Sequence, residues 1–215
     1  MSAPNDRVRL RRNARRGSYD PEVIRGILDA NRVCHVAYVE QGEPRIIPTL
    51  YFREEDHVYL HGNRQSALLR HLAGGGQAAL SVMSVEGIVV ARSGFHCSMN
   101  YHSVVLYGCG EEAPSDQQAR LLERFVEALV PGHLEHVRGA TEQELAATLV
   151  VRLPVDEASA KIRTGDPLDD ASDLDADVWA GVIPLRVVPG QPRPSADLNP
   201  DIAVPGYVRD YEASW

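Results

Sequence analysis

Only three cysteines, Cys34, Cys97 and Cys109, stand in the 215 residues. They are too few and too scattered for a disulfide framework, and with no C-x-x-C pair there is no zinc or thiol-exchange signature. Reduced, mostly buried thiols are expected. No apolar run reaches the roughly 18 residues that a membrane-spanning helix needs. The first residues, MSAPNDRVRLRRNARRGS, are basic but lack the apolar stretch of a secretory signal, so a cytoplasmic protein is expected. A broad basic surface is missing too. The net charge of −8 argues against nucleic acid as the main partner. Arg7, Arg9, Arg11, Arg12, Arg15 and Arg16 are a local exception, read as a solvated arm or a clasp on an acidic partner subunit.

Several catalytic signatures are absent as well. There is no G-x-S-x-G elbow and no P-loop. His133 and His136 sit three apart without an H-E-x-x-H, and the aspartates at 166, 169, 170, 173, 175 and 177 lack an EF-hand's glycine and closing glutamate. Both are read as solvated surface, and no metal site is expected. Gly108-Cys109-Gly110-Glu111-Glu112-Ala113 matches the spacing of a dinucleotide fingerprint, but a helix can begin only after Pro114, too late to present its N-terminus to a phosphate.

What is present alternates and turns. Asp20-Pro21 caps a helix over about 21–30, with Val23, Ile24, Ile27 and Leu28 on its apolar side. Three strands should follow as a meander, 33–39, 45–52 and 57–61, with turns at Gln41-Gly42 and 53–56. A short helix over 65–72 stops at Gly74-Gly75-Gly76. Strands at 77–83 and 88–92 flank a Glu86-Gly87 turn, a polar link covers 93–101, and 102–111 forms a longer strand. Ser115 with Gln118 and Thr141 with Glu144 have capping-box spacing and open two more helices. Strands at 149–155, 157–163 and 179–188 close the pattern, and the proline-rich tail from Pro189 is expected to be extended. About eight short strands with three or four helices, and no strand-helix alternation, indicate a mainly β fold with peripheral helices, best met by an antiparallel barrel.

Three segments, RIIPTLYFREEDHVYLHGNRQSALLRHL at 45–72, ARSGFHCSMNYHSVVLYGCGEE at 91–112, and EASAKIRTGDP with VWAGVIPL at 157–167 and 178–185, together resemble the FMN-binding split-barrel family. The similarity lies with its pyridoxamine 5′-phosphate oxidase-related branch, which includes the nitroimidazole-resistance reductases. It spans residues 18–188, leaving 1–17 as a basic arm and 189–215 as a tail.

The resemblance implies an α+β, six- to eight-stranded antiparallel split β-barrel. It also implies a homodimer whose two flavin sites are shared between subunits, and a flavin-dependent oxidoreductase acting on a small molecule. The flavin ring would lie along Arg45, Ile46, Ile47, Pro48 and Thr49, and the FMN tail near His61, Gly62, Asn63, Arg64 and Ser66. The second subunit would contribute Asn100, Tyr101, His102, Ser103 and Trp179. A helix start beside small polar residues suits a phosphate, and Pro48 suits an edge strand where a flat ring can dock. Lys161 and Arg163, on one face of a strand by alternation, would balance phosphate or flavin charge. His61 is the candidate proton donor, and also, with His102, a candidate axial ligand if the chain binds heme. FAD remains an alternative to FMN, and a flavin carrier without turnover an alternative to an enzyme. The ending LNPDIAVPGYVRDYEASW lacks the Arg-containing motif of the true vitamin B6 oxidases, so that substrate is not expected.

Overall fold

The computed structural model describes residues 3–211. Residues 1–2 of the arm and 212–215 of the tail lie outside the described residues. In chain order the elements are β1 Gly17–Ser18, α1 Pro21–Asp29, β2 Val33–Glu40, β3 Glu43–Leu50, β4 Phe52–Glu54, β5 His57–Asn63, α2 Ala67–Ala73 and β6 Gln77–Val90. There follow β7 Ser98–Cys109, β8 Glu111–Glu112, α3 Gln118–Leu129, α4 Glu142–Ala147, β9 Thr148–Pro154, β10 Ala158–Arg163, β11 Gly181–Pro184 and α5 Gly206–Arg209. Among the described residues no helix is long and apolar enough to cross a membrane.

Local chemistry sets these boundaries. Asp20 accepts a hydrogen bond from the Glu22 amide and Pro21 occupies the first turn of α1, whose buried side is Ile24, Ile27 and Leu28. Gln41 and Gly42 both have positive φ, 53° and 84°, the requirement of the two-residue turn that joins β2 to β3. Thr141 and Glu144 form the expected capping box of α4. Ser115 does not cap: a 3-10 turn at Ser115–Gln117 intervenes, and the Gln118 side-chain Nε2 instead donates to the carbonyls of Leu145 and Thr148, both at 2.9 Å.

All strand pairs are antiparallel and fall into two sheets. The larger runs β1-β10-β7-β6-β2-β3, with β11 paired to β6; the smaller runs β4-β5-β9-β8. Val36, Leu80, Val104 and Leu106 from the first meet Val58, Leu60, Val151 and Leu153 from the second, with α1 and α2 adding Ile27, Leu28, Leu69 and Leu72. Each such buried aliphatic side chain contributes about 1.5–3 kcal/mol relative to exposure. A second cluster forms where Leu121 and Phe125 of α3 pack on Phe52, Tyr59 and Val150, the outer side of the smaller sheet.

Four expectations are corrected. The 33–61 meander divides between the two sheets, with β2–β3 in one and β4–β5 in the other. The two strands expected at 77–83 and 88–92 are one long strand, 77–90, that absorbs Glu86 as a bulge, because β7 begins at Ser98 and pairs along its whole length. The last strand shrinks to Gly181–Pro184, the stretch that pairs with β6 residues 87–90. Cys34 is buried, but Cys97 and Cys109 are exposed; all three are free. Gly110 owes its identity to packing: a Cβ there would lie 2.6 Å from the Leu72 Cβ, so the glycine-rich stretch serves contact between the β7–β8 junction and α2.

Candidate functional site

The two sheets part company at Tyr51. Phe52 pairs with Tyr59, and continuing that register would set His61 opposite Leu50 and Asn63 opposite Pro48. Those pairs do not form, because β3 pairs only with β2, while β5 beyond Leu60 pairs only with β9. Tyr51 fixes the divergence: it is 2% exposed, its hydroxyl donates to the Leu28 carbonyl at 2.6 Å, and its amide donates to the Arg32 carbonyl at 3.0 Å. Two unpaired strand edges, 45–50 and 60–63, therefore border a split in the barrel.

β3 is exposed at every position except the half-buried Thr49. Ile47 and Thr49 pair with the core residues Val36 and Cys34 and so face the split, whereas Ile46, Pro48 and Leu50 face outward. Arg45 sits at the hairpin end, held by Glu43 at 3.1 Å. Pro48 lies on the sheet edge, as expected, and offers no amide there.

The turn at 61–66 is already engaged by the fold. Asn63 Oδ1 accepts from the Gln65 amide at 2.8 Å, and Ser66 caps α2. Arg64 donates to the carbonyls of Ala146 and Thr148 at 3.2 and 3.1 Å and meets Glu112 at 3.3 Å. Gly62 packs against Leu69. His61 points under α3, its ring 4.1 Å from Phe125, with Nδ1 buried and unpartnered. Burial lowers its pKa, which favours the neutral imidazole.

The remaining expected residues gather elsewhere. β7 and β10 align Ser103 with Lys161, His102 with Ile162, and Tyr101 with Arg163. Arg163 is 5% exposed; it bonds Asn100 Oδ1 and donates to the carbonyls of Gly165 and Asp166 at 2.9 and 3.1 Å. Asn100 also donates to the Gly165 carbonyl at 3.1 Å, so the pair fixes the loop leaving β10. Trp179 is 65% exposed in the approach to β11, its ring against Gly181. Within one chain β6 and β2 separate β7 from β3, three strand spacings or roughly 14 Å. One chain therefore does not bring Asn100–Ser103 to the split.

Strand alternation also builds a site on the other face of the larger sheet, one absent from the sequence expectations. The outward side of the larger sheet carries a groove of about 1010 Å³, walled by Val33 and His35 of β2, Met83 and Val85 of β6, Ser103 and Val105 of β7, and the segment 185–188. Among the described residues that line it, His35 is the only imidazole. The signal was available, since Cys34, Val36 and Tyr38 fill the core and so place Val33 and His35 on the opposite side.

The flanking loops also differ from solvated surface. The Asp169 side chain is 1% exposed and accepts from the Arg92 amide at 2.8 Å and its guanidinium at 2.9 Å. His96, Asp170 and Asp173 gather within 4.8 Å of one another at the surface. His133 and His136 are covered by Tyr207, which bonds the first at 2.8 Å and stacks on the second at 4.9 Å.

Comparison with known proteins matches this architecture. The structure of the flavocytochrome Anf3 from Azotobacter vinelandii is similar with a TM-score of 0.92 and 37% identity, covering 98% of each chain. The FAD and heme binding protein from Mycobacterium smegmatis gives 0.88 and 35%, over 92% of this chain and 97% of that one. A protein assigned to 5-nitroimidazole antibiotic resistance from Bacteroides thetaiotaomicron shares the fold alone, at 0.55 and 18% over 68% of this chain and 86% of that one. No curated protein matches. The family model for pyridoxamine 5′-phosphate oxidase matches residues 20–162, the stretch that holds both sheets up to β10 and the split between them. The chain belongs to the pyridoxamine 5′-phosphate oxidase family.

Proposed function

We propose that the chain is a homodimeric flavoprotein, a flavin-dependent oxidoreductase of a small molecule, with the flavin ring along the free edge of β3. The observation that carries this reading is β3 itself. An apolar edge strand exposed on both sides, with Ile46 at 64% and Ile47 at 40%, faces another unpaired edge across the split. Such an edge is a liability unless something covers it. A flat heteroaromatic ring suits the place, because backbone groups beside Pro48 can meet its heteroatoms while Ile47 packs on its face.

The outward side of the larger sheet, with Val33, Ile46, Leu50 and Met83 exposed, suits a second copy of the chain. In that dimer Asn100–Ser103 and Trp179 of each subunit would complete the other's site. Bound flavin supplies the redox chemistry. The protein's part is position and exclusion of water, since the split offers few acid-base groups. The exposed free thiols of Cys97 and Cys109 suit a reducing cytoplasm.

Purified protein tests the reading directly. The paired near-ultraviolet and blue bands of a flavin, released by heat and identified by mass as FMN or FAD, support it, and a colourless protein that takes up neither refutes it. Anaerobic bleaching by NADH or NADPH separates an enzyme from a flavin carrier.

A second reading adds heme to the flavin. Of the relatives that match over nearly the whole chain, one is named a flavocytochrome and another an FAD and heme binding protein. The groove fits a porphyrin: its walls are mostly apolar and His35 is at hand as an axial ligand. His61 lies under α3, and His102, by alternation with the core residue Val104, faces away from the groove. A Soret band that vanishes in His35→Ala while flavin stays bound supports this arrangement, and a Soret band that survives the substitution removes His35 from it.

A further inference from the structure

The basic arm is not a free tail. β1 pairs with Ala160 and Lys161, Val8 is 3% exposed, the Leu10 amide donates to the Tyr19 hydroxyl at 2.8 Å, and Arg7 lies 4.5 Å over the Tyr107 ring. Gly17 leaves room for Leu10, since a Cβ there would come within 2.4 Å of the Leu10 Cδ1. Asn13, at φ 52°, turns the chain into the 3-10 turn Ala14–Arg16. This path sets Arg12, Arg15 and Arg16 beside the end of β10, where they share with Arg163 two contiguous clefts of about 310 and 430 Å³.

Four arginines line these clefts, with Asp166 the one carboxylate among the described lining residues. The side chains of Arg12, Arg15 and Arg16 make no ion pair or hydrogen bond with any described residue. Arg163 Nε is buried and has no partner among the described residues. Burial first, and then the nearby Arg16, lower the Arg163 pKa, and Asp166 offsets them only in part. Like charges held together by backbone pairing cost stability unless an anion joins them, and planar arginine forks match phosphate oxygens in pairs. At the rim stands Phe95, 91% exposed, an aromatic face free to stack on a base.

We propose that Arg12, Arg15, Arg16 and Arg163 bind the diphosphate of an adenine dinucleotide, with Phe95 stacking on the adenine. Two contiguous lobes suit two phosphoryl groups. The source is either the flavin, as FAD rather than FMN, or a nicotinamide dinucleotide that delivers electrons. The site stands independently of the flavin reading, because pyrophosphate and ADP probe it alone.

Calorimetric titration of the full chain tests it. Pyrophosphate and ADP should bind, more weakly as salt rises. The double variant R15A/R16A should lose at least about tenfold in affinity for both, as expected for charged hydrogen bonds. R12A, altered at an exposed position, should weaken both as well, whereas R11A, outside the clefts, should not. F95A should weaken ADP and spare pyrophosphate. Failure to bind pyrophosphate, or equal binding by R15A/R16A and R11A, overturns the site, and an F95A protein that binds ADP like the wild type overturns the adenine contact. Direct titrations separate the sources: R15A/R16A weakens FAD but not FMN if the flavin occupies the site, and weakens NADH or NADPH with FAD unchanged if the donor does.

Discussion

His61 makes an acid-sensitive point in the smaller sheet. Its imidazole packs on Phe125 with Nδ1 buried and unpartnered, and burial holds its pKa below the ordinary 6.5. The unfolded chain therefore takes up this proton before the folded one does. Stability is full above pH 6.5 and falls as pH drops from there toward the folded pKa, with a ceiling of about 1.4 kcal/mol per pH unit for a single proton. Part of the ring reaches the surface, so solvent keeps the slope below that ceiling. His61→Leu removes the titration while keeping an apolar contact with Phe125. Urea unfolding at pH 7.5, 6.5 and 5.5 should show the variant gaining on the wild type only at the lower values. A difference that stays constant across the three would refute the buried, neutral histidine. Because His61 lies under α3 rather than along β3, the variant should also keep its flavin.

Four further outcomes follow from the same contacts. Tyr51→Phe removes the hydroxyl donor to Leu28, which should cost about 1 kcal/mol, or about 2–4 °C in melting temperature for a chain of this size. Thr141→Ala breaks the capping box of α4 and should cost about 1 kcal/mol by chemical denaturation, whereas Ser115→Ala, whose side chain caps nothing, should be neutral within about 0.5 kcal/mol. Ile46→Asp, on an exposed position, should leave circular dichroism unchanged but yield monomers by light scattering and release the flavin; a stable flavin-loaded dimer would count against the proposed interface. The tail is tied at Leu185 and again at Tyr207 and Tyr211, with 186–205 exposed between them. If that span embraces the partner, a nonspecific protease should cut it faster in the Ile46→Asp monomer than in wild type, and equal rates would exclude the embrace.

Elements fixed by local chemistry were legible in the sequence, and those fixed by pairing were not. Asp20-Pro21, Gln41-Gly42 and Thr141 with Glu144 each decide a cap or turn within a few residues, and each appears in the structure. The bulge at Glu86 depends on β7, which starts several residues earlier than its own composition shows. Ser115 with Gln118 illustrates the same limit, because the distant carbonyls of Leu145 and Thr148 claim the Gln118 side chain. For the site, β3 and 61–63 come together because they flank one hairpin. The groove around His35 and the arginine clefts needed the register of three strands and the path of the arm.

The split itself follows from a competition that Tyr51 decides. A barrel closed between β3 and β5 would pair Leu50 with His61 and Pro48 with Asn63, but Pro48 brings no amide to such a ladder. Opening instead lets Tyr51 bury its ring and satisfy its hydroxyl on Leu28. It also lets His61 pack under α3 and β5 continue along β9 as far as Asn63. The smaller sheet thus gains pairing that the larger one forgoes, and the unpaired polar groups are concentrated on β3. Two backbone edges left unmatched by a proline, with isoleucines on both sides of one of them, form a surface whose hydrogen-bonding and apolar needs are met together by a flat, heteroatom-rimmed ring. A third strand could not meet them, since it would again find Pro48 without a donor.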